Sequence, residues 1–409
     1  MMYQYYTLEN GIRLVHKEVK SEVAHVGLFI NAGSRDELPE EHGIAHFIEH
    51  TLFKGTEKRK AFHVINRLEQ VGAELNAYTT KEETVIYASF IKDYYSRTLE
   101  LISDITFHSV FPEKELNKEK GVVIEEINSY KDDPSEMIFD HFEELLYPHD
   151  SLGRNILGKN ANIRKFNKKK IEKFMSNNYH TDQMVICSVG EISFAKLIKN
   201  VELYFGCVPE NRREQKRVAV QRYEPFDKTI KKKVYQNHLL IGNVAYSNFQ
   251  QREKIIFTLL NNILGGTGLN SRLNMSIRER SGYAYHVESN YTPYYDTGVF
   301  NIYVGCNNGY LQKSIDIVHK ELSLVKKQKL GPMQLKMAKQ QFVGQMAIYF
   351  ESNLNEMLSL GKSTLFFNKI DTVHEMALKI ESVTASEILD VANEIFDNDK
   401  LSTLVYKKN

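Results

Sequence analysis

The stretch GIAHFIEHTLFKGT (43–56) sets His46, Glu49 and His50 in the pattern H-x-x-E-H. On a helix, residues four apart share a face and lie about 6 Å apart along the axis, so both imidazoles can meet one ion. Glu49 projects to the same side, where a carboxylate can take the proton of a metal-activated water without being a ligand. Random placement of 14 His and 52 acidic residues in 409 positions gives such a pattern roughly 0.06 times per chain. Two His also leave zinc one protein ligand short, the third usually being His or a carboxylate. The motif therefore needs a partner helix.

One is available in PEKELNKEKGVVIEEINSYKDDP (112–134). At 100° per residue, Leu116, Val123, Ile127 and Tyr130 fall within an arc of about 60°. Glu119 and Glu126 lie about 20° from each other on the edge of that arc, while Glu125 points nearly opposite, toward solvent. Acids facing a core need a cation or a hydrogen-bond partner to offset desolvation. Seven residues advance about 10 Å along the axis, so both acids cannot easily reach one ion. One is a ligand and the other a supporting or substrate-facing group; periodicity does not choose between them.

The surrounding chain supplies elements to hold these helices. Asn10-Gly11 is a hairpin signal between strand-like runs, and VAHVGLFINAG (23–33) is a further apolar strand. Helical patterns occupy about 41–54, 61–71, 92–107 and 114–130, with a strand at about 73–90. MVICSVGEI (184–192) reads as a buried strand and 193–205 as the helix after it. The charged, proline-bearing stretch 208–229 reads as a linker, giving domains 1–215 and 229–409 joined by 216–228. The second part again opens with strand-like runs. A helix through Ile255, Ile256, Leu259, Leu260 and Ile263 follows, stopped at Gly265-Gly266. Strands and amphipathic helices then fill 283–306, 310–328 and 332–365. The shared order of elements points to a duplication.

Composition narrows the function classes. With 53 basic and 52 acidic side chains the net charge is +1, which removes the electrostatic case for nucleic acid or an anionic membrane as partner. No apolar run reaches the roughly 18 residues of a membrane span, and the N-terminus lacks signal-peptide pattern. Cys187, Cys207 and Cys306 are too scattered for a disulfide framework or a metal clip. They read as small buried hydrophobes, and the location expected is cytoplasmic.

Three stretches, NAGSRDELPEEHGIAHFIEHTLFKGT (31–56), VGAELNAYTTKEETVIYASF (71–90) and EKGVVIEEINSYKDDP (119–134), resemble the pitrilysin-type (M16, inverzincin) zinc metallopeptidases. The likeness is to short members related to mitochondrial processing peptidase. The family's last zinc ligand is a Glu following the motif at a nearly fixed interval. The 75 residues between His50 and Glu126 match that interval. The resemblance thus implies His46, His50 and Glu126 as ligands of one Zn2+ per chain, Glu49 as the catalytic base, and Glu119 as supporting acid near the water. It also implies an α+β fold of two similar halves, each a mixed or antiparallel sheet backed by helices.

The segment 74–90 has strand composition, and an exposed edge there could add a peptide through backbone hydrogen bonds. In the resembling family the strand carrying Gly72, Asn76, Ala77 and Thr79 receives substrate this way, which makes Asn76, Ala77 and Tyr78 candidate substrate contacts. IRERSGYAYHV (277–287) resembles the family's R-x-x-x-G-x-x-Y motif, with Arg278, Gly282 and Tyr285. A guanidinium can hold a substrate carbonyl and a phenol can donate to an oxyanion. Tyr283 stands where the family often has Leu. LGGTGLNSRL (264–273) lacks the spacing and basic residue of a phosphate loop and reads as a helix stop. The lysine runs at 168–170 and 231–233, and RREQKR at 212–217, read as solvated faces or linker. His16, His25, His63 and His108 have no partner at metal spacing and read as structural.

The resemblance implies a zinc endopeptidase cleaving peptides or unfolded segments inside a clamshell chamber. Both motifs on one chain favour a homodimer. One rival is a non-catalytic or co-catalytic subunit of a heteromeric complex with a related chain; another is a zinc hydrolase of a small molecule.

Overall fold

The computed structural model describes residues 3–214, 217–220 and 223–409. Residues 215, 216, 221 and 222 of the expected linker region lie outside them. In chain order the first elements are β1 (Gln4–Thr7), β2 (Arg13–Glu18), β3 (Val23–Ile30), α1 (Ile44–Thr51), α2 (Ala61–Glu69), β4 (Glu74–Thr79) and β5 (Thr84–Ile91). Then come α3 (Tyr95–Phe107), α4 (Glu113–Lys131), α5 (Pro134–Leu146), α6 (Asn160–Ile163), α7 (Lys168–Asn178), β6 (Met184–Gly190) and α8 (Phe194–Phe205). The remainder holds β7 (Asp227–Lys232), β8 (Asn237–Ala245), α9 (Gln251–Gly265), β9 (Ala284–Pro293), β10 (Gly298–Cys306) and α10 (Leu311–Lys327). It ends with α11 (Pro332–Phe350), α12 (Asn353–Phe367), α13 (Val373–Glu381), α14 (Ala385–Ile395) and β11 (Ser402–Lys408).

Where one strand is expected at 73–90 there is a hairpin. Its turn is organised by Thr80, whose backbone N–H donates to the Glu83 carbonyl and whose hydroxyl accepts from the Glu82 and Glu83 amides. The helical run 332–365 is likewise two helices, because Ser352 caps α12 by accepting from the Asn355 amide.

The strands form two sheets, ordered β1-β2-β6-β3-β5-β4 and β7-β11-β8-β10-β9. Each contains one parallel pair, β2 with β6 and β7 with β11, and is otherwise antiparallel. Leaving out β1, the orders superpose element for element, with β2, β6, β3, β5, β4 matching β7, β11, β8, β10, β9. The duplication hinted at by element order is therefore present in the topology.

The two compact units do not follow a single cut. One takes the chain up to Asn128, Arg154–Val218 and Ile348–Ile370; the other takes Ser129–Gly153, Ala219–Ala347 and Asp371–Asn409. In the first unit, one sheet face packs Leu28, Ile86 and Ile186 against helix residues Phe47, Ile48, Leu99 and Ile102. The other face, with Val15, Phe29, Val85 and Val185, is covered by Met357, Leu360 and Leu365 of α12. That double cover explains why every residue of β6 is buried. The second unit repeats the plan: Ile241, Phe300 and Ile302 meet α9, α10 and α14, while Ile138, Phe142 and Leu146 of α5 cover Leu240, Tyr303 and Tyr406. Among the described residues no helix is long and apolar enough to cross a membrane.

Candidate metal centre

The helix α1 is only eight residues long and turns Ile44, Ala45, Phe47 and Ile48 into the core. It starts at Gly43, whose φ of +97° is left-handed, and a Cβ there would stand 2.8 Å from Gly158 Cα. Gly43 offers no side chain to cap the helix. Glu37, four residues before the glycine-led start at Glu41-His42-Gly43, does so instead, accepting from the Gly43 and Ala45 amides at 2.9 Å each. Burial pushes its carboxyl up, to about 8, while those two amides and Arg154 pull it back down. The other end of the helix is tightened by Thr51, whose hydroxyl donates to the Phe47 and Ile48 carbonyls.

On this helix His46 is buried and His50 half-buried, their ring centroids 4.7 Å apart. The helix α4 presents Glu119 buried, Glu126 half-buried and Glu125 exposed. Nε2 of His46 lies 3.7 Å from one oxygen of Glu126 and Nε2 of His50 lies 3.3 Å from the other. Ligand atoms of His46, His50 and Glu126 all fall within 4.8 Å of one another. With zinc–ligand bonds of 2.0–2.1 Å the edge of a tetrahedron is about 3.4 Å, so the two measured separations fit a shared ion. Burial, with His50 beside it, holds His46 down at about 4, so its neutral ring keeps a lone pair for a metal. Its Nδ1 is buried without a hydrogen-bond partner among the described residues. Were these three to ligate zinc, a fourth position would stay open, as in catalytic rather than structural zinc sites.

Glu119 approaches the same ring from its other nitrogen. One oxygen is 3.5 Å from His50 Nδ1 and the other 2.8 Å from Lys54 Nζ. Lys54 lies one turn beyond His50, and nothing in the spacing of the sequence singles it out. Glu49 is half-buried, and burial raises its carboxyl; the Thr79 hydroxyl and amide and His50 pull it down, and Glu126 adds to the rise. Thr79 ends β4, so the strand and the acid are neighbours. The strand β4 is the sheet edge, paired with β5 alone: Asn76 opposite Tyr87, Ala77 opposite Ile86, Tyr78 opposite Val85.

Arg278 and Tyr285 belong to the other unit and meet each other, the guanidinium 5.0 Å from the ring centroid of an exposed Tyr285. Arg278 sits in a π-helical turn, Asn274–Glu279, 3.4 Å from Glu279. Tyr283 stacks on Tyr310, centroids 4.8 Å apart, with Lys313 over both rings. Of the residues read as structural, His16 is buried between Ser188 and Ile192, and His25 meets the Ser89 hydroxyl. Cys187 and Cys306 are buried, but Cys207 is exposed; all are free thiols. The expectation of a solvated RREQKR stretch fails at Arg213 and Arg217. Both are ion-paired with the buried Asp36, at 3.0 and 2.8 Å, because that carboxylate requires cations to leave water.

Two duplicated α/β units, one carrying on paired helices a His-His-Glu cluster that could hold a metal ion, make up the architecture. The family comparison gives it a name: residues 13–160 match the model described as Insulinase (Peptidase family M16), and residues 165–342 match the Peptidase M16 inactive domain. The chain belongs to the M16 peptidase family. It is 33% identical to the uncharacterized zinc protease YmxG of Bacillus subtilis, over 99% of this chain and 98% of the relative. It is 28% identical to bovine mitochondrial-processing peptidase subunit beta, over 95% and 81%. A protease from Helicobacter pylori shares the fold, with a TM-score of 0.91, 22% identity and 99% of both chains covered.

Proposed function

We propose that this chain is a zinc endopeptidase acting on peptides or unfolded polypeptide segments. One observation carries the reading: His46, His50 and Glu126 each offer a donor atom, all within 4.8 Å of one another, with Glu49 on the same helix as the histidines. The names of its relatives, zinc protease and processing peptidase, support it. When bound, zinc supplies Lewis acidity, polarising a scissile carbonyl and easing the deprotonation of a neighbouring water. Glu49 accepts that proton and returns it to the leaving amine. Glu119 orients the His50 ring through Nδ1, and the open edge of β4 takes the substrate as an added strand. Arg278 and Tyr285 hold substrate, one by its guanidinium and the other by its phenol. The chain works as a cytoplasmic homodimer.

The test is zinc analysis of wild type beside His46→Ala, coupled to a quenched-peptide assay. We expect about one zinc per chain, lost in the variant together with turnover. Full zinc content in His46→Ala would place the site elsewhere. A second reading, a subunit that cuts only beside a related chain, draws on the word subunit in the name of the processing-peptidase relative. Zinc-loaded wild type that leaves every peptide intact until such a chain is added would favour it.

A further inference from the structure

The helix bearing both histidines is short, and its first amides have no partner within it. Glu37 satisfies two of them, one with each oxygen. Its loop is fixed in turn. Arg154 donates to the Glu37 carbonyl at 2.9 Å. Next door, Asp36 is held by Arg213 and twice by Arg217, at 2.8 to 3.0 Å. Arg217 also donates to the carbonyls of Glu82 and Asn31. Glu82 lies in the turn of the β4–β5 hairpin, and it pairs with Arg35 at 2.7 Å. The Ser34 and Arg35 amides complete the joint by donating to the Thr80 and Lys81 carbonyls. One buried charge cluster thus ties three parts of the chain together: the loop that caps α1, the hairpin that ends β4, and the side chains of Arg213 and Arg217.

We propose that Glu37 is a positioning residue for the metal centre, setting α1 so that His46 and His50 converge on Glu126, with Arg217 and Asp36 holding Glu37 in place. The inference rests on the zinc reading given above. Each Glu37 oxygen accepts an amide N–H, the arrangement of an ionised carboxylate, which the helix dipole also favours against the upward pull of burial; a ligand pair displaced by a fraction of an ångström loses its shared geometry. Removing Arg217 leaves Asp36 buried with one guanidinium fewer, so the loop must shift or protonate.

The experiment uses the full chain as wild type, Glu37→Gln, Glu37→Ala and Arg217→Met. Zinc alone is titrated against a chromophoric chelator, and thermal unfolding of the zinc-free chains is followed separately. Glu37→Ala should weaken zinc about tenfold or more, as loss of an outer support of a ligand does. Glu37→Gln, which turns an NH2 toward an amide N–H, and Arg217→Met should each weaken it by at least about threefold. Variants that unfold at lower temperature yet bind zinc within about twofold of wild type would reduce Glu37 to a scaffold residue and overturn the inference. Should Glu37→Ala fail to fold, Glu37→Gln and Arg217→Met decide by the same criterion. Wild type that takes up no zinc overturns the zinc reading itself, and this inference with it.

Discussion

Glu119 stands 3.5 Å from Nδ1 of His50, on the other side of the imidazole from Glu126, which faces Nε2 at 3.3 Å. The two acids of α4 therefore divide one ring between them. On the zinc reading proposed above, a proton on Nδ1 directed at Glu119 would leave the Nε2 lone pair for the ion shared with Glu126, and the first acid would then fix the tautomer the second arrangement needs. Lys54 keeps Glu119 in register and balances its charge.

Glu119→Gln should accordingly keep the fold and lower zinc affinity about tenfold, the usual cost of losing a ligand's outer partner. Glu126→Gln should cost far more, since it replaces an anionic ligand oxygen with the weaker oxygen of a neutral amide. Chelator competition on the two variants gives the order. If Glu119→Gln loses zinc entirely while Glu126→Gln keeps it, the ligand and the support have been exchanged.

On the proposed reading Glu49 is a base and not a ligand, so Glu49→Gln should separate binding from turnover. Zinc content should match wild type while peptide cleavage falls by about two to four orders of magnitude, the contribution of a general base. Metal analysis and a quenched-peptide assay on one preparation are sufficient. Unchanged cleavage would remove Glu49 from the mechanism.

Strand addition at the β4 edge relies on the peptide backbone, so the substrate can be altered instead of the enzyme. A peptide N-methylated at alternate residues loses donors on one edge but keeps its side chains. One register of methylation should raise KM by about tenfold or more per lost pair of bonds, and the other register should have little effect. Equal KM for all three peptides would argue that side chains, not the strand edge, hold the substrate.

The buried histidines should make the zinc-free fold acid-sensitive. Burial lowers the pKa of His16, His25, His42, His141 and His238. A depressed base binds more protons unfolded than folded, so stability is full above the unfolded value of about 6.5 and falls as pH drops below it. For His16, fully enclosed, the loss begins as pH falls below the unfolded value and ends at its lowered folded value. Glu37, whose raised carboxyl favours acid, works against these histidines, so the comparison is between proteins: from pH 7.5 to 5.5 the urea midpoint should fall more, or rise less, in wild type than in His16→Gln. An equal change in both would contradict the sign.

The sequence made some of this legible and hid the rest for physical reasons. His46, Glu49 and His50, and the faces of α4, are local: 3.6-residue periodicity puts Glu119 and Glu126 on the core edge and Glu125 in water, as observed. The hairpin at 80–83 was available in the polar run TTKEET, which resembles strand composition only while its three threonines are weighed above its charges. Arg213 and Arg217 look like any basic run, because Asp36 is some 180 residues away and only folding brings it near. Tyr283 departs from the family's usual Leu, and its partner Tyr310 follows on the far side of two strands.

The exchange of α5 and α12 was invisible for a related reason: amphipathic patterns say that a helix has a sheet to cover, not which one. It carries a prediction. A fragment ending near residue 218 contains the whole His-His-Glu cluster but lacks α12, so Val15, Phe29, Val85 and Val185 lose Met357, Leu360 and Leu365. Each of those side chains contributes roughly 2 kcal/mol by its burial, a large share of the margin a domain possesses. The fragment also carries α5 with no sheet to receive it. Produced alone, residues 1–218 should bind a hydrophobic dye and hold zinc weakly. Mixed during refolding with residues 219–409, they should recover both compactness and zinc. A fragment that folds and binds zinc by itself would show that α12 is dispensable to the sheet it covers.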